Sequence, residues 1–351
     1  MTLPHIDYEY LINFLTELLK IPSPTGYTQK AIDFTAQALK ESPGSAKLKT
    51  WKTRKGALVV KLSGEADRSP RALTAHTDTL GAMVKEIKSN GRLKLTKIGN
   101  YPWNTVEGEG CTVFTRNTGQ LRGSILLTKS SSHVYGVQVN ETRREEDTME
   151  VRLDARASSA KETNSLGIEI GNFVAFDPRV EINNGFIRSR HLDDKAGVAC
   201  LVAAAQALQQ ANIKPKQDTF FHFSNYEEVG HGAAAGIPSQ VEELVVVDMA
   251  AVGEGQSSDE FHAALCVKDS GGPYHHDLSQ RLLKLAAAHQ IAHNVDIYPY
   301  YGSDGTAYWR SGGDVAVALI GPGVDASHNY ERTHKEALEA TTKWIIAYLL
   351  N

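Results

Sequence analysis

The sequence predicts an α/β protein, a mixed or parallel sheet flanked by helices and interrupted by an all-β segment. Three observations carry this. The continuous apolar runs 220–223 and 244–247 suit strands buried on both faces of such a sheet. Longer stretches, 7–20 and 194–209, repeat apolar residues at helical spacing. Between about 85 and 177 the helical period disappears, and short alternating runs broken by turn residues replace it.

Taken in order, residues 7–20 place Leu11, Ile12, Phe14, Leu15, Leu18 and Leu19 on one side of a helix. The two prolines and the glycine of Ile21-Pro-Ser-Pro-Thr-Gly26 end it. A second helix is expected over 28–40. Strands follow at 56–62 and 71–76, the latter running into His76-Thr-Asp78. The β-rich segment contains the runs 92–98 and 123–128, with turns at Ser89-Asn-Gly91 and Asn117-Thr-Gly119. The α/β rhythm then returns. Val198, Leu201, Val202, Ala205 and Leu208 share one helix face, a helix is expected at 278–289, a strand at 315–320, and a closing helix at 333–350. The chain therefore divides into 1–84 with 178–351, around an insert at 85–177.

With 351 residues, one large domain or two ordinary ones can be built. Net charge is −4 and no long basic run occurs, so nucleic acid and anionic membranes are poor partners. Cys111, Cys200 and Cys266 are widely spaced, and none lies in a Cys-x-x-Cys pattern. They read as reduced packing residues. No apolar stretch approaches the ~20 residues that span a bilayer, and the N-terminus lacks the basic start and apolar core of a secretory signal. A cytoplasmic protein is expected.

The chemistry is signalled by Glu227 and Glu228, side by side after the apolar run that ends at Ser224. Adjacent carboxylates on a strand point to opposite sides and repel if both are buried. A cation relieves the repulsion, leaving one carboxylate to bind it and the other to accept a proton from a polarised water. Further acids and imidazoles lie at expected strand ends or helix starts: His76 with Asp78, Asp193 with Asp194, Asp248, and His328. This donor set suits zinc or a similar divalent ion. The excess of carboxylates points to two ions ~3.5–4 Å apart sharing one of them.

Each motif also has an ordinary structural reading. His76 and Asp78 could be a hydrogen-bonded pair at a strand end. Asp193-Asp194 could be a helix N-cap with a first-turn acid, and Glu227-Glu228 a solvated loop. His334 competes with His328. Asp248 is harder to dismiss, because a charge after Leu-Val-Val-Val costs energy unless it is paired. The signal lies in the conjunction of the motifs.

Taken together, Ile21-Pro-Ser-Pro-Thr-Gly26, Ala75-His76-Thr-Asp78-Thr-Leu-Gly81, His191-Leu-Asp-Asp-Lys-Ala-Gly197, Glu227-Glu-Val-Gly230, Asp248 and Ser327-His328 occur in a recognisable order. On them the chain resembles the glutamyl aminopeptidase and tetrahedral aminopeptidase family of two-metal metallopeptidases. The resemblance implies a mixed central sheet of the zinc-peptidase type with a small β-barrel inserted where the β-rich segment lies. It implies two divalent metal ions, zinc first, with cobalt or manganese also suited to such ligands. His76 would ligate one ion and His328 the other. Asp193 would bridge both, joined to Asp194 by a cis peptide, and Glu228 and Asp248 would each complete one shell. Glu227 would be the general base, and Asp78 would accept from the far nitrogen of His76 and fix its tautomer. Dimers or twelve-subunit shells, formed through the β insert, are common in the family, so a homo-oligomer is implied.

The implied activity is hydrolysis of an amide bond in a peptide or small peptide derivative. Two stretches, 190–199 and 323–334, resemble a bacterial branch associated with the osmolyte N-acetylglutaminylglutamine amide, which would make the substrate a capped dipeptide amide. The alternatives are a deacylase or amidase acting on an N-acyl amino acid and, more remotely, a non-catalytic scaffold. Tyr298-Pro-Tyr-Tyr-Gly-Ser-Asp304 offers three tyrosines that suit a pocket wall or core packing. His275-His276 reads as a surface pair.

Overall fold

The computed structural model describes residues 2–42, 48–117 and 119–351. The chain forms two compact units, Met1–Asp78 with Arg179–Asn351, and Thr79–Pro178. The turn expected at Asn117–Gly119 includes Thr118, which lies outside the described residues.

In the first unit, four neighbouring strands are mutually parallel: Gln217–Ser224, Ala66–His76, Glu243–Val247 and Ala316–Asp325. Antiparallel strands extend the sheet on both sides. Leu58–Leu62 and Lys49–Lys52 lie beyond Gln217–Ser224, and Ala263–Asp269 pairs with Ala316–Asp325. The sheet is thus mixed. Its parallel centre is apolar on both faces, as in Phe221 and Phe223 on one side and Phe220 on the other. Two core clusters fill these faces.

The helix Leu192–Gln210 is buried along nearly its whole length. Its run of alanines, Ala199 and Ala203 to Ala205, allows close approach to neighbouring elements on every side. The closing helix Lys335–Leu349 packs beside it, and the Trp344 indole donates to the Leu282 carbonyl at 2.9 Å. The first helix runs Tyr8–Lys20, capped by Asp7, whose carboxylate accepts from the Tyr10 amide.

The second unit contains a closed six-stranded barrel: Gly81–Ile87, Leu93–Ile98, Met149–Leu153, Gln120–Leu127, Gly110–Phe114 and Phe173–Phe176. Alternate residues such as Leu93 and Leu95, or Cys111 and Val113, fill its interior. The expected boundary at 84/85 cuts the strand Gly81–Ile87, which pairs from Gly81 opposite Ile98. No turn residues mark that junction, so the sequence carries no break there. Nor is the unit all β. It holds the short helices Ser132–Tyr135, Gln138–Glu141 and Ala160–Ser165, each too short to display a helical period.

Elsewhere the pattern missed the strands at Ala263–Asp269 and His293–Ile297, and gave the strand from Ala316 too early an end, since it continues to Asp325. All three cysteines are free and buried. Among the described residues, no helix is long and apolar enough to cross a membrane.

Candidate metal centre

The parallel strands end together, and their carboxyl ends carry the acids and imidazoles, the edge where open α/β sheets place their sites. His76 is the last residue of its strand and lies opposite Ser224 in the register. The chain after Ser224 turns through Asn225 and Tyr226 into the 3-10 turn Glu227–Val229. Asp248 directly follows Glu243–Val247. Asp193 and Asp194 stand at the start of Leu192–Gln210 with non-helical backbone angles, and the peptide bond between them is cis.

Asp193 sits at the centre. Its Oδ1 lies 3.0 Å from His76 Nε2 and its Oδ2 lies 3.3 Å from His328 Nε2. Glu228 Oε2 is 3.6 Å from the same His328 nitrogen, and Glu227 Oε2 is 3.7 Å from His76 Nε2. His76, Asp193 and Asp248 each offer a donor atom within 4.8 Å of the others. The structure therefore brings His76, Asp193, Glu227, Glu228, Asp248 and His328 to one place, with two groups of donors meeting at the two oxygens of Asp193. The His328 side chain is 33% exposed, while His76 is 2% exposed, so His328 marks the open side.

Asp78 also belongs here, in a different posture from the one expected. His76 Nδ1 meets the backbone carbonyl of Asp78 at 3.0 Å, and the carboxylate stands off at 3.6 Å. The carboxylate instead accepts the Thr25 hydroxyl at 2.7 Å and the amides of Glu227 at 3.2 Å and Glu228 at 3.3 Å. Asp78 therefore holds the Glu227–Glu228 turn. The tautomer of His76 is set by a main-chain acceptor, which no side-chain pattern reveals.

Two acids, Glu331 and Asp304, enter the site only through the structure, and Asp194 gains a contact there. Glu331 accepts the amide of Asp193 at 3.1 Å and that of His328 at 3.0 Å, joining two chain segments far apart in sequence. Asp194 caps the helix, as its position suggested, and also supports the strand that carries His76. Its Oδ1 accepts from the Gly197 amide as a helix cap and its Oδ2 accepts from the His76 amide at 3.2 Å. Asp304 is buried beside the loop that carries Glu227 and Glu228. The available signal was faint: an acid three residues after His328, and another next to Ser303 at a helix start.

His334 lies elsewhere. Its Nδ1 caps the helix Lys335–Leu349, and its ring packs against Phe186 and Phe261. His275 likewise caps the helix His276–Ala288. The tyrosines divide: Tyr298 is buried against Ser258, Tyr301 donates to the Met249 carbonyl at 2.9 Å, and Tyr300 is fully exposed.

The electrostatics are those of crowded buried acids. Burial, then Asp193, pushes Asp248 up to about 7 and Glu331 up to about 8. Burial also drives Glu227 and Glu228 well above the usual carboxylate range. Asp193, by contrast, is held low: burial opposes this, but hydrogen bonds from His328 and His76 outweigh it. Burial disfavours a charged His76, and contacts with Asp193 and Asp78 more than compensate. Acids this close repel one another unless positive charge lies among them. At an effective dielectric of ~20, two unit charges ~4 Å apart interact by about 4 kcal/mol. Two imidazoles do not balance this many carboxylates, and a nitrogen-and-oxygen donor set of this kind fits divalent transition ions.

The chain matches the family model described as M42 glutamyl aminopeptidase over residues 56–344. It is 46% identical over 339 residues, 96% of each chain, to the Bacillus subtilis (strain 168) protein named "Putative aminopeptidase YhfE". In fold it is similar to an aminopeptidase from the archaeon Desulfurococcus kamchatkensis, with a TM-score of 0.86 and 21% identity over 98% of this chain and 95% of the other. It is similar also to the TET1 peptidase of Pyrococcus horikoshii, with a TM-score of 0.84 and 22% identity over 97% and 99% of the two chains.

Proposed function

The chain belongs to the M42 glutamyl aminopeptidase family, a family of metal-dependent peptidases, and we propose that it hydrolyses the N-terminal amide bond of peptides with Glu227 as general base. The observation that carries this reading is Asp193, whose two oxygens face His76 and His328 separately. That arrangement supports two divalent ions sharing Asp193. His76 and Asp248 would complete one set of ligands and His328 and Glu228 the other. When bound, such ions polarise the scissile carbonyl as Lewis acids and lower the pKa of water toward ~7.

The side chains supply the rest. Glu227 Oε2 takes the proton of the attacking water and returns it to the leaving amide nitrogen. Burial raises the proton affinity of the carboxyl, and cations nearby act in the opposite direction. Asp78, through the two amides it accepts, keeps Glu227 and Glu228 at fixed heights on one turn. Glu331 orients Asp193 and His328 through their own backbone amides.

Gly321 lies against Asp248, where a Cβ would come within 1.6 Å of the Asp248 carbonyl oxygen. Gly321→Ala should therefore displace Asp248 and weaken metal binding by ~10–100-fold, the size of effect seen when a ligand loses its support. Metal titration of the purified variant checks this.

A homo-oligomer is also proposed. The TET1 peptidase of Pyrococcus horikoshii is described as assembling into a tetrahedron or a large octahedral shell, and this chain shares its fold.

The decisive experiment is turnover of the metal-loaded protein on peptides with free N-termini and on their N-acetylated counterparts. Release of N-terminal residues from the free peptides, abolished by chelation and restored by zinc, cobalt or manganese, is the expected result. Hydrolysis confined to N-acyl compounds or to N-acetylated dipeptide amides would replace the aminopeptidase reading with an amidase one.

A further inference from the structure

We propose that Asp304 is a positioning residue for the reaction, tying both ends of the loop 225–232 to one buried carboxylate and so setting where Glu227 stands. The proposal rests on the reading of Glu227 as the base.

Asp304 opens the helix Asp304–Arg310 and is 2% exposed. The helix does not need it as a cap. Ser303 Oγ already accepts the Gly305 amide at 3.2 Å, and Thr306 Oγ1 accepts the Ser303 amide at 3.2 Å. The Asp304 carboxylate faces the other way. Its Oδ2 accepts the Ser224 hydroxyl, and its Oδ1 accepts the Ala233 amide at 2.7 Å. Ser224 is the last residue of its strand, and Ala233 is the first residue after the loop. A single side chain thus holds the residue that enters the loop and the residue that leaves it. Bonds to a charged acceptor are about twice as strong as neutral ones.

The fit is close. A Cβ on Gly232 would lie 2.3 Å from Asp304 Oδ1, so only glycine lets the loop return to this carboxylate. Thr74 adds a longer contact to Oδ2 at 3.5 Å and is itself held by His222 Nδ1 at 3.0 Å. Lys55 secures the far side of the loop by donating to the carbonyls of His231 and Gly232. Between these anchors the loop closes on itself, His231 donating to the Tyr226 carbonyl at 3.1 Å and the Tyr226 and His231 rings stacking at 5.1 Å. The Glu227–Glu228 turn is therefore suspended between Asp78 beneath it and Asp304 at its ends. The negative charge of Asp304 also acts on Glu227, among the influences that raise it.

Asp304→Asn keeps the size of the side chain and removes the charge. The expected result is a fall in kcat of ~10²-fold, the scale of effect produced by a ~1 Å misplacement of a catalytic group. At saturating metal KM should stay at the wild-type value, while metal affinity measured by titration calorimetry should weaken by no more than ~10-fold, because Glu228 rides on the same turn. Amide hydrogen exchange over 227–233 should quicken, with and without metal. In a Glu227→Gln background, Asp304→Asn should cause no further loss, because the two residues act through one group. Ser224→Ala, which removes a single donor, should shift kcat and exchange in the same direction by less, and it decides the matter if Asp304→Asn does not fold. A lowered melting temperature with normal kcat and normal loop exchange would overturn the proposal, as would a full additional loss in the Glu227→Gln background. Normal turnover by Glu227→Gln alone would refute the base assignment, while the exchange rates would still test the loop anchor.

Discussion

Replacing Glu227 with Gln is expected to lower kcat by at least ~10²–10⁴-fold, the usual contribution of a positioned general base, while metal content stays at the wild-type level. Gln fills the same volume and keeps a polar tip, so the turn pinned by Asp78 through the Glu227 and Glu228 amides should hold. What is lost is the acceptor for the proton. The pH profile provides a second readout. A base works when deprotonated, so wild-type activity falls as pH drops through the pKa of Glu227. That acid limb should vanish or move in the variant. Near-normal turnover by Glu227→Gln, with metal bound, would remove Glu227 from the proton's path and leave its neighbour Glu228, or a distant acid, to be tested in turn.

Asp193→Asn should have the larger effect on the metal itself. Asp193 is the one acid whose two oxygens face both imidazoles, and it is held ionised by those contacts against its burial. An amide in its place offers one neutral oxygen and an NH₂ group that points donors at the site. The loss of one unit charge ~4 Å from a divalent ion, at an effective dielectric of ~20, removes about 8 kcal/mol per ion, equivalent to ~10⁶-fold in affinity. Metal content after dialysis should fall, and turnover with it. Full metal occupancy in Asp193→Asn would show that no ion depends on a shared Asp193.

Much of this centre was legible before the fold was known, because metal chemistry restricts residue types severely. Histidine, aspartate and glutamate at the ends of apolar runs are uncommon enough that five such places in one chain already suggested a centre. The apolar runs themselves marked the strands, since Phe220–Phe223 and Leu244–Val247 are buried on both faces. The supporting acids were not legible. Glu331 and Asp304 work through backbone amides, and an amide is present at almost every residue, so no side-chain pattern marks its partner. The same holds for Asp78, whose expected link to His76 is made by its carbonyl while its carboxylate serves two amides.

Two barrel strands showed as the alternating runs 92–98 and 123–128 and the rest only as a change of rhythm, and the expected division at 84/85 falls inside the strand Gly81–Ile87, which carries no turn signal there. Residue types alone left His334 competing with His328, six residues before it, and only the resemblance of Ser327-His328 favoured the latter. Separation came from the strand Glu331–His334 and the left-handed turn at His328, which carry the first ring away from Asp193 and direct the second toward it.

The sequence by itself determined the donor set, the order of its members along the chain, and the division of labour expected of Glu227 and Glu228. The donor types and their order follow from residue chemistry and the apolar runs beside them, and the division between Glu227 and Glu228 follows from the family resemblance. The tertiary structure alone decided which oxygen of Asp193 faces which histidine, and what holds the Glu227–Glu228 turn in place. Both depend on contacts between segments more than a hundred residues apart. Such contacts are set by the register of the parallel strands and by the close approach at Gly232 and Gly321, and local sequence carries no record of either.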